Sequence, residues 1–293
     1  MKRIFLCLTA VALLGACKKD PGTTPPDGDG KPGDTGAPGD TGAKPADTGV
    51  PQEPDPPAIA EARTQYLLGQ YEKVKESLGP LTSDLKTRQQ LRASGLSAGW
   101  YALAVVDPVA EDAKEPAEHA VAMAQQTSDK EVQIVAKLAW GAYQLGTDDS
   151  AGAAASFEEA YKLQTDGPNA ALALVLYGQA KIDGAFGGEE KETITKPEEI
   201  DLALSTFNKA QRQAAGQPGN EMIVALAYEG VASAANYKKN FPEACKALAE
   251  AQKIYAEKGA GQPLLDRANA LTDAANCSKA AADPKAAAKK PAK

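Results

Sequence analysis

Few side chains in this sequence are of types that could carry out chemistry. His119 is the single histidine, and the four cysteines are Cys7, Cys17, Cys245 and Cys277. A Ser-His-Asp or Cys-His pair would have to use His119, and the residues around it match no nucleophile motif. Metal sites usually need clustered His, Cys or carboxylate ligands, and the sequence shows no such cluster. We therefore expect no enzymatic activity, no metal and no cofactor, and we expect His119 to lie on a surface or groove.

The first residues have the pattern of an export signal. A basic start, Lys2-Arg3, precedes the apolar run Ile4–Leu14, which is shorter than the roughly 20 residues that span a bilayer. The run ends in Leu14-Gly15-Ala16-Cys17, which resembles the bacterial lipobox. That resemblance implies a signal peptide over 1–16, cleaved before a cysteine that carries lipid, so Cys17 is the expected lipidation site. The alternative is an ordinary signal peptide with a chance cysteine.

The residue after this cysteine bears on where the protein resides. It is Lys18, whereas an Asp at this position retains enterobacterial lipoproteins in the inner membrane. The resemblance therefore implies a lipid-anchored protein of the bacterial cell envelope, in the outer membrane and facing the periplasm. Cys7 would leave with the signal peptide, so Cys245 and Cys277 would remain in a compartment where disulfides persist.

Both ends of the mature chain are expected to be disordered. Residues 17–57, which start with the lipidated cysteine, contain almost no large apolar side chain, so they cannot offset the entropy of ordering. Such a tether reaches about 35 Å. Glycine at every third position from Gly30 to Gly42 has the period of collagen, but five triplets with few prolines favour a repetitive spacer. Residues 281–293, rich in Ala, Lys and Pro, form the second disordered segment.

The charge distribution disfavours nucleic acid as a partner. The chain has a formal net charge of −7, while the signal segment and the C-terminal tail each carry net positive charge. The body between the two ends is therefore more acidic than the whole chain, the reverse of a nucleic-acid-binding surface.

The composition of residues 58–280 indicates an all-α domain. This stretch is rich in Ala, Leu, Gln, Glu and Lys, and aromatic residues make up 5% of the chain. Its β-branched residues do not alternate with polar ones, and clusters of small residues recur in pairs of helix-like segments. This pattern is typical of stacked helical hairpins.

One spacing recurs along the body: a small residue is followed by further small or bulky residues 12, 16 and 19 positions later. The clearest copy is Gly141, Ala153, Phe157 and Ala160, and a copy with an insertion is Gly178, Ala203, Phe207 and Ala210. Weaker copies begin at Ala62, Val105 and Ala232. The pattern resembles the tetratricopeptide repeat, although its period is uneven. The resemblance implies an α-solenoid of about five hairpins, closed by a C-terminal capping helix over about Pro263–Lys279.

Short sequence motifs predict two helix boundaries, and the positions of two cysteines favour one disulfide. Capping boxes at Ser128–Glu131 and Thr195–Glu198 predict two helix starts. The midpoint between Cys245 and Cys277 is the turn glycine Gly261, so the two cysteines would lie at the same height in an antiparallel helix pair. This register favours a disulfide over the alternative of two buried free thiols.

Two functions from different classes remain open. The tetratricopeptide resemblance implies a scaffold whose concave groove binds a protein partner, and an acidic groove would favour basic or extended segments. The alternative is a ligand-binding or enzymatic envelope lipoprotein that uses the groove or the irregular loop 183–197. A purely structural spacer would need neither surface.

Overall fold

The computed structural model describes residues 54–88, 90–167, 169–187 and 193–277. Within these ranges the chain forms eleven α-helices, a 3-10 turn at Ala110–Ala113 and one short β-hairpin, which agrees with the predicted all-α class. The helices are α1 (Pro57–Leu67), α2 (Tyr71–Arg88), α3 (Leu91–Val105), α4 (Lys114–Gln125), α5 (Lys130–Gly146), α6 (Ser150–Leu163), α7 (Ala170–Gly184), α8 (Pro197–Ala214), α9 (Glu221–Tyr237), α10 (Phe241–Lys258) and α11 (Gln262–Ala274). The expectations for the signal peptide, Cys17, most of the tether and the tail lie outside the described residues.

The helices pack in chain order and form two layers. Each helix contacts the next one, and the odd-numbered helices α1, α3, α5, α7 and α9 also contact one another in sequence. The odd-numbered helices are the inner layer, since α3 buries twelve of its fifteen residues. An even-numbered helix such as α4 buries two of twelve and shows one face to solvent. Three-residue turns join α1 to α2, α5 to α6 and α9 to α10, as in antiparallel helical hairpins, whereas the 3-10 turn lies between α3 and α4 and the β-hairpin between α7 and α8.

Glycines allow the two layers to approach closely. A Cβ atom on Gly141 would lie 2.6 Å from the Phe157 ring, and one on Gly178 would lie 2.8 Å from the Phe207 ring. Phe207 also faces Gly230 of α9, where a Cβ would lie 2.3 Å from the ring. The alanines of the same two copies are fully buried beside these rings: Ala153, Ala160, Ala203 and Ala210. Any larger residue at these glycines would push the helices apart.

The structure changes the predicted helix starts. Helix α5 begins at Lys130, and its cap is Asp129, whose carboxylate accepts from the backbone N–H groups of Glu131 and Val132. The predicted cap was Ser128. The capping box predicted at Thr195 is wrong: α8 begins at Pro197 with Lys196 as its N-cap and no side-chain cap bond. The Thr195 hydroxyl donates instead to the Ala185 carbonyl, and Pro197 starts the helix because its φ is already helical.

The described parts of the 183–197 loop pack onto the body. Strands β1 (Phe186–Gly187) and β2 (Thr193–Ile194) pair antiparallel, with Phe186 opposite Ile194. The Phe186 ring lies edge-on to Tyr237 at the end of α9, with 5.0 Å between ring centroids. The loop is therefore anchored at both of its described ends.

The two ring–glycine contacts make Phe207 the side chain whose loss should cost most. Phe207→Ala removes a fully buried ring between α7 and α9, and we expect a loss of about 3–5 kcal/mol in the free energy of unfolding. Phe241→Ala, at a ring that is 38% exposed, is the matched control and should cost less than about 1 kcal/mol. Urea unfolding followed by circular dichroism measures both. Equal losses for the two variants would contradict the packing described here.

Candidate interaction site at the centre of the helical array

Arg63 of α1 lies between the amino-terminal ends of two inner helices. Its Nε donates to the side-chain oxygen of Asn169 at 2.9 Å, and its Nη2 donates to that of Asn220 at 2.8 Å. These asparagines are the N-cap residues of α7 and α9, and they are only 2% and 4% exposed. Burial lowers the pKa of Arg63, and the negative charge of Glu131 opposes that shift. The planar guanidinium fork thus joins two helix ends that are far apart in sequence.

Both ends of α1 also meet helix starts. Asp55, just before α1, accepts from Arg92 Nε in the first turn of α3 at 2.9 Å. At the other end, the Leu68 carbonyl accepts from the Gly261 backbone N–H, directly before α11, at 2.7 Å. A Cβ on Gly69 would lie 2.7 Å from Leu264 of α11. Helix α1 therefore runs across the amino-terminal ends of α3, α7, α9 and α11.

A buried ion pair ties α11 to the inner layer. Arg267 of α11 donates two hydrogen bonds to Glu229 of α9, one from Nε and one from Nη2, the latter at 2.9 Å. The Tyr255 hydroxyl of α10 donates to the same carboxylate at 2.5 Å. The Glu229 side chain is 1% exposed and that of Arg267 is 11% exposed. A bidentate pair with an additional donor is the arrangement that offsets the cost of burying charge.

The pKa shifts in this cluster follow from burial and from the ion pair. Burial alone would lower the pKa of Arg267, but the charge of Glu229, its hydrogen bonds with the arginine and the nearby Tyr255 and Tyr71 together outweigh burial, so the net shift is upward. Burial raises the pKa of Tyr255, and the neighbouring Glu229 charge raises it further. Both shifts keep the arginine charged and the tyrosine protonated across the physiological pH range, so the hydrogen-bond pattern does not change there.

The first hairpin completes the cluster. Tyr71, at the start of α2, lies near Arg267; burial raises its pKa, and the arginine charge opposes the rise. Its ring centroid lies 5.6 Å from that of Tyr66 in α1, which lies 5.7 Å from Trp100 of α3. The first two helices and the last helix therefore meet in the space that the inner helices surround.

The inner helices show little of their side chains to solvent. Inner-layer side chains such as Trp100, Leu138 and Glu229 are at most 2% exposed. Among the described residues, α1 and α11 contribute side chains that bond to these helices.

The cysteines and the histidine lie away from this centre. Cys245 of α10 and Cys277, just after α11, are at disulfide distance with their Cα atoms 5.3 Å apart, as the register argument predicted. His119 Nε2 lies 2.7 Å from the Ser94 hydroxyl oxygen, between α4 and α3. His119 therefore joins the outer and inner layers instead of lining a groove.

No helix in the described ranges is both long and apolar enough to cross a bilayer. In the same ranges, no three His, Cys, Asp or Glu side chains are grouped so that they could hold a metal ion. Cys17, the expected lipidation site, lies outside them.

Comparisons of the chain with protein-family models, with curated proteins and with solved structures found no match.

Sequence reasoning missed the charged residues at the centre, although two of them carry a signal. Glu229 is the one charged residue within the apolar stretch 222–237, and Arg63 is the one basic residue of α1. A lone charge on a helix that is otherwise apolar indicates a buried partner. The partners Asn169 and Asn220 carry no such signal, because an asparagine before a helix reads as an ordinary N-cap.

The ion pair yields a stability prediction. Glu229→Ala leaves Arg267 buried without its partner, and we expect a loss of about 3–5 kcal/mol in the free energy of unfolding. Glu250→Ala, on the exposed face of α10, should change it by less than about 0.5 kcal/mol. The double change Glu229→Leu with Arg267→Met should recover most of the loss. Chemical denaturation tests all three, and a double variant no more stable than Glu229→Ala would argue against a buried pair.

Proposed function

We propose that this protein is a lipid-anchored scaffold of the bacterial cell envelope that binds a partner protein through a tetratricopeptide-like helical array. The observation that carries the proposal is the helix order. The pairs α1–α2, α3–α4, α5–α6, α7–α8 and α9–α10 follow one another and α11 closes the series. The recurring small-residue spacing falls within these same pairs, which supports an α-solenoid with a capping helix.

The anchor in this proposal rests on the sequence. A signal-like start, the Leu14–Cys17 motif and a long stretch poor in large apolar residues precede the first described helix. A lipidated amino terminus on such a tether would hold the helical array near a membrane and leave it able to rotate. Arrays of stacked hairpins bind other proteins through extended surfaces, and the acidic body favours basic segments of a partner.

The anchor is tested by two cysteine variants. With Cys17→Ser, we expect the protein to move from the membrane fraction to the soluble fraction, because the thiol that would carry the lipid is gone. Cys7→Ser, within the expected signal peptide, is the matched control and should remain with the membrane. Immunoblots of the fractions and the mass of the amino-terminal peptide report the outcome. An unmodified, soluble wild-type chain would end the lipoprotein proposal.

The scaffold role is tested with the same membranes after detergent extraction. The tagged wild-type chain should recover one protein in a stoichiometric amount, and the complex should persist in detergent because the array, and not the lipid, makes the contact. A small molecule found on the chain by native mass spectrometry, with no protein partner recovered, would favour the ligand-binding alternative.

A further inference from the structure

The ends of α7 and α9 are built to hold a guanidinium group. An N-cap asparagine ordinarily accepts a hydrogen bond from the second or third backbone N–H of its own helix. Neither Asn169 nor Asn220 makes that bond, and both side-chain oxygens accept from Arg63 instead. Two helices thus give up their side-chain caps to a residue more than 100 positions away. The two buried amide oxygens form a site, which we name the arginine receptor.

The charge around the receptor selects a cation. Glu131, in the first turn of α5, acts on Arg63 with a favourable charge. A second arginine near Glu131, Arg92, is engaged by three carboxylates, Asp55, Asp129 and Glu131. Acceptor oxygens and a nearby carboxylate suit a guanidinium, which carries five donors and no acceptor. An acidic side chain in this place would be repelled.

Apart from the Arg63 hydrogen bonds, few buried side chains keep α1 in place at the receptor. Of its eleven residues, three are buried: Ile59, Ala62 and Leu67. It has no side-chain cap at its start, and helices of this length are marginal by themselves. The Gln65 side-chain oxygen is buried without a hydrogen-bond partner among the described residues, which destabilises the packed position of α1. Segments with so little burial open at a low free energy.

We propose that the arginine receptor binds an arginine-bearing helical segment of the partner protein, and that α1 occupies it until the partner displaces it. This inference rests on the proposed scaffold function and names the chemistry of the partner. The chain's first helix is the template for the ligand: a short helix with an arginine on the face that also bears small and aliphatic side chains. In this view Arg63 occupies the site in the free chain, and an arginine of the partner displaces it.

The test uses the chain's own first helix as the probe. A fluorescent peptide with the sequence of residues 54–70 is titrated into the full-length wild-type chain and into Arg63→Ala, and its anisotropy is measured. Because Arg63→Ala removes the internal competitor and leaves Asn169 and Asn220 intact, we expect it to bind the peptide at least about tenfold more tightly than the wild type. A second peptide, in which the Arg63→Ala change is made in the peptide itself, should not bind measurably to the wild-type chain or to the variant chain.

Two protein variants serve as controls. Arg212→Ala changes an exposed residue of α8. This variant should bind the peptide no more tightly than the wild type does. Adding Asn169→Ala and Asn220→Ala to Arg63→Ala should abolish binding, with circular dichroism reporting whether that variant is folded. Equal binding of the two peptides, or no binding to Arg63→Ala, would overturn the proposal, and neither result depends on the triple variant.

A second copy of the chain is the competing occupant. If the receptor takes α1 from a neighbouring molecule, the wild-type chain will dimerise as its concentration rises in sedimentation experiments, and the partner proposal is then overturned. Because these measurements use purified protein without a membrane, they can fail while the anchor and the scaffold role stand.

Discussion

The close approach of helices at glycine is the constraint from which the rest of this structure follows. Gly141 lies against Phe157, and Gly178 and Gly230 lie against the two sides of Phe207. Because glycine carries no side chain, the phenylalanine ring of the outer helix packs directly against the backbone of the inner helix. The inner helices consequently lie near enough to one another that a single short helix, α1, reaches the starts of α3, α7, α9 and α11.

The inner helices leave a central space that other side chains must fill. The polar groups buried there need hydrogen-bond partners. Arg63 and the Glu229–Arg267 pair do both, and Tyr255 supplies a further hydrogen bond. Buried charges of this kind add little to stability compared with apolar side chains, but a wrong neighbour would leave them unpaired. They therefore set which helix ends meet, whereas the glycine and alanine contacts set how closely the helices pack. The Cys245–Cys277 link holds the end of α11 to α10 from the outside.

Local pattern was enough to predict the helical class and the cysteine register. Each of these depends on residues a few turns apart, or on symmetry about one turn such as the one at Gly261. The centre could not be predicted in the same way, because Arg63 meets Asn169 and Asn220 across more than 100 residues. The helix start at Pro197 was missed for a local reason: Thr195 has a competing acceptor in the Ala185 carbonyl, which lies across the short β-hairpin.

The seating of α1 against the inner helices is the central claim, and amide hydrogen exchange tests it most directly. The account predicts that amides of residues 60–67 exchange at least about thirtyfold more slowly in the full chain than in the isolated peptide 54–70, while those of α9 exchange more slowly still. Exchange of residues 60–67 at the same rate in the chain and in the peptide would contradict it, because a helix that packs against nothing gains no protection.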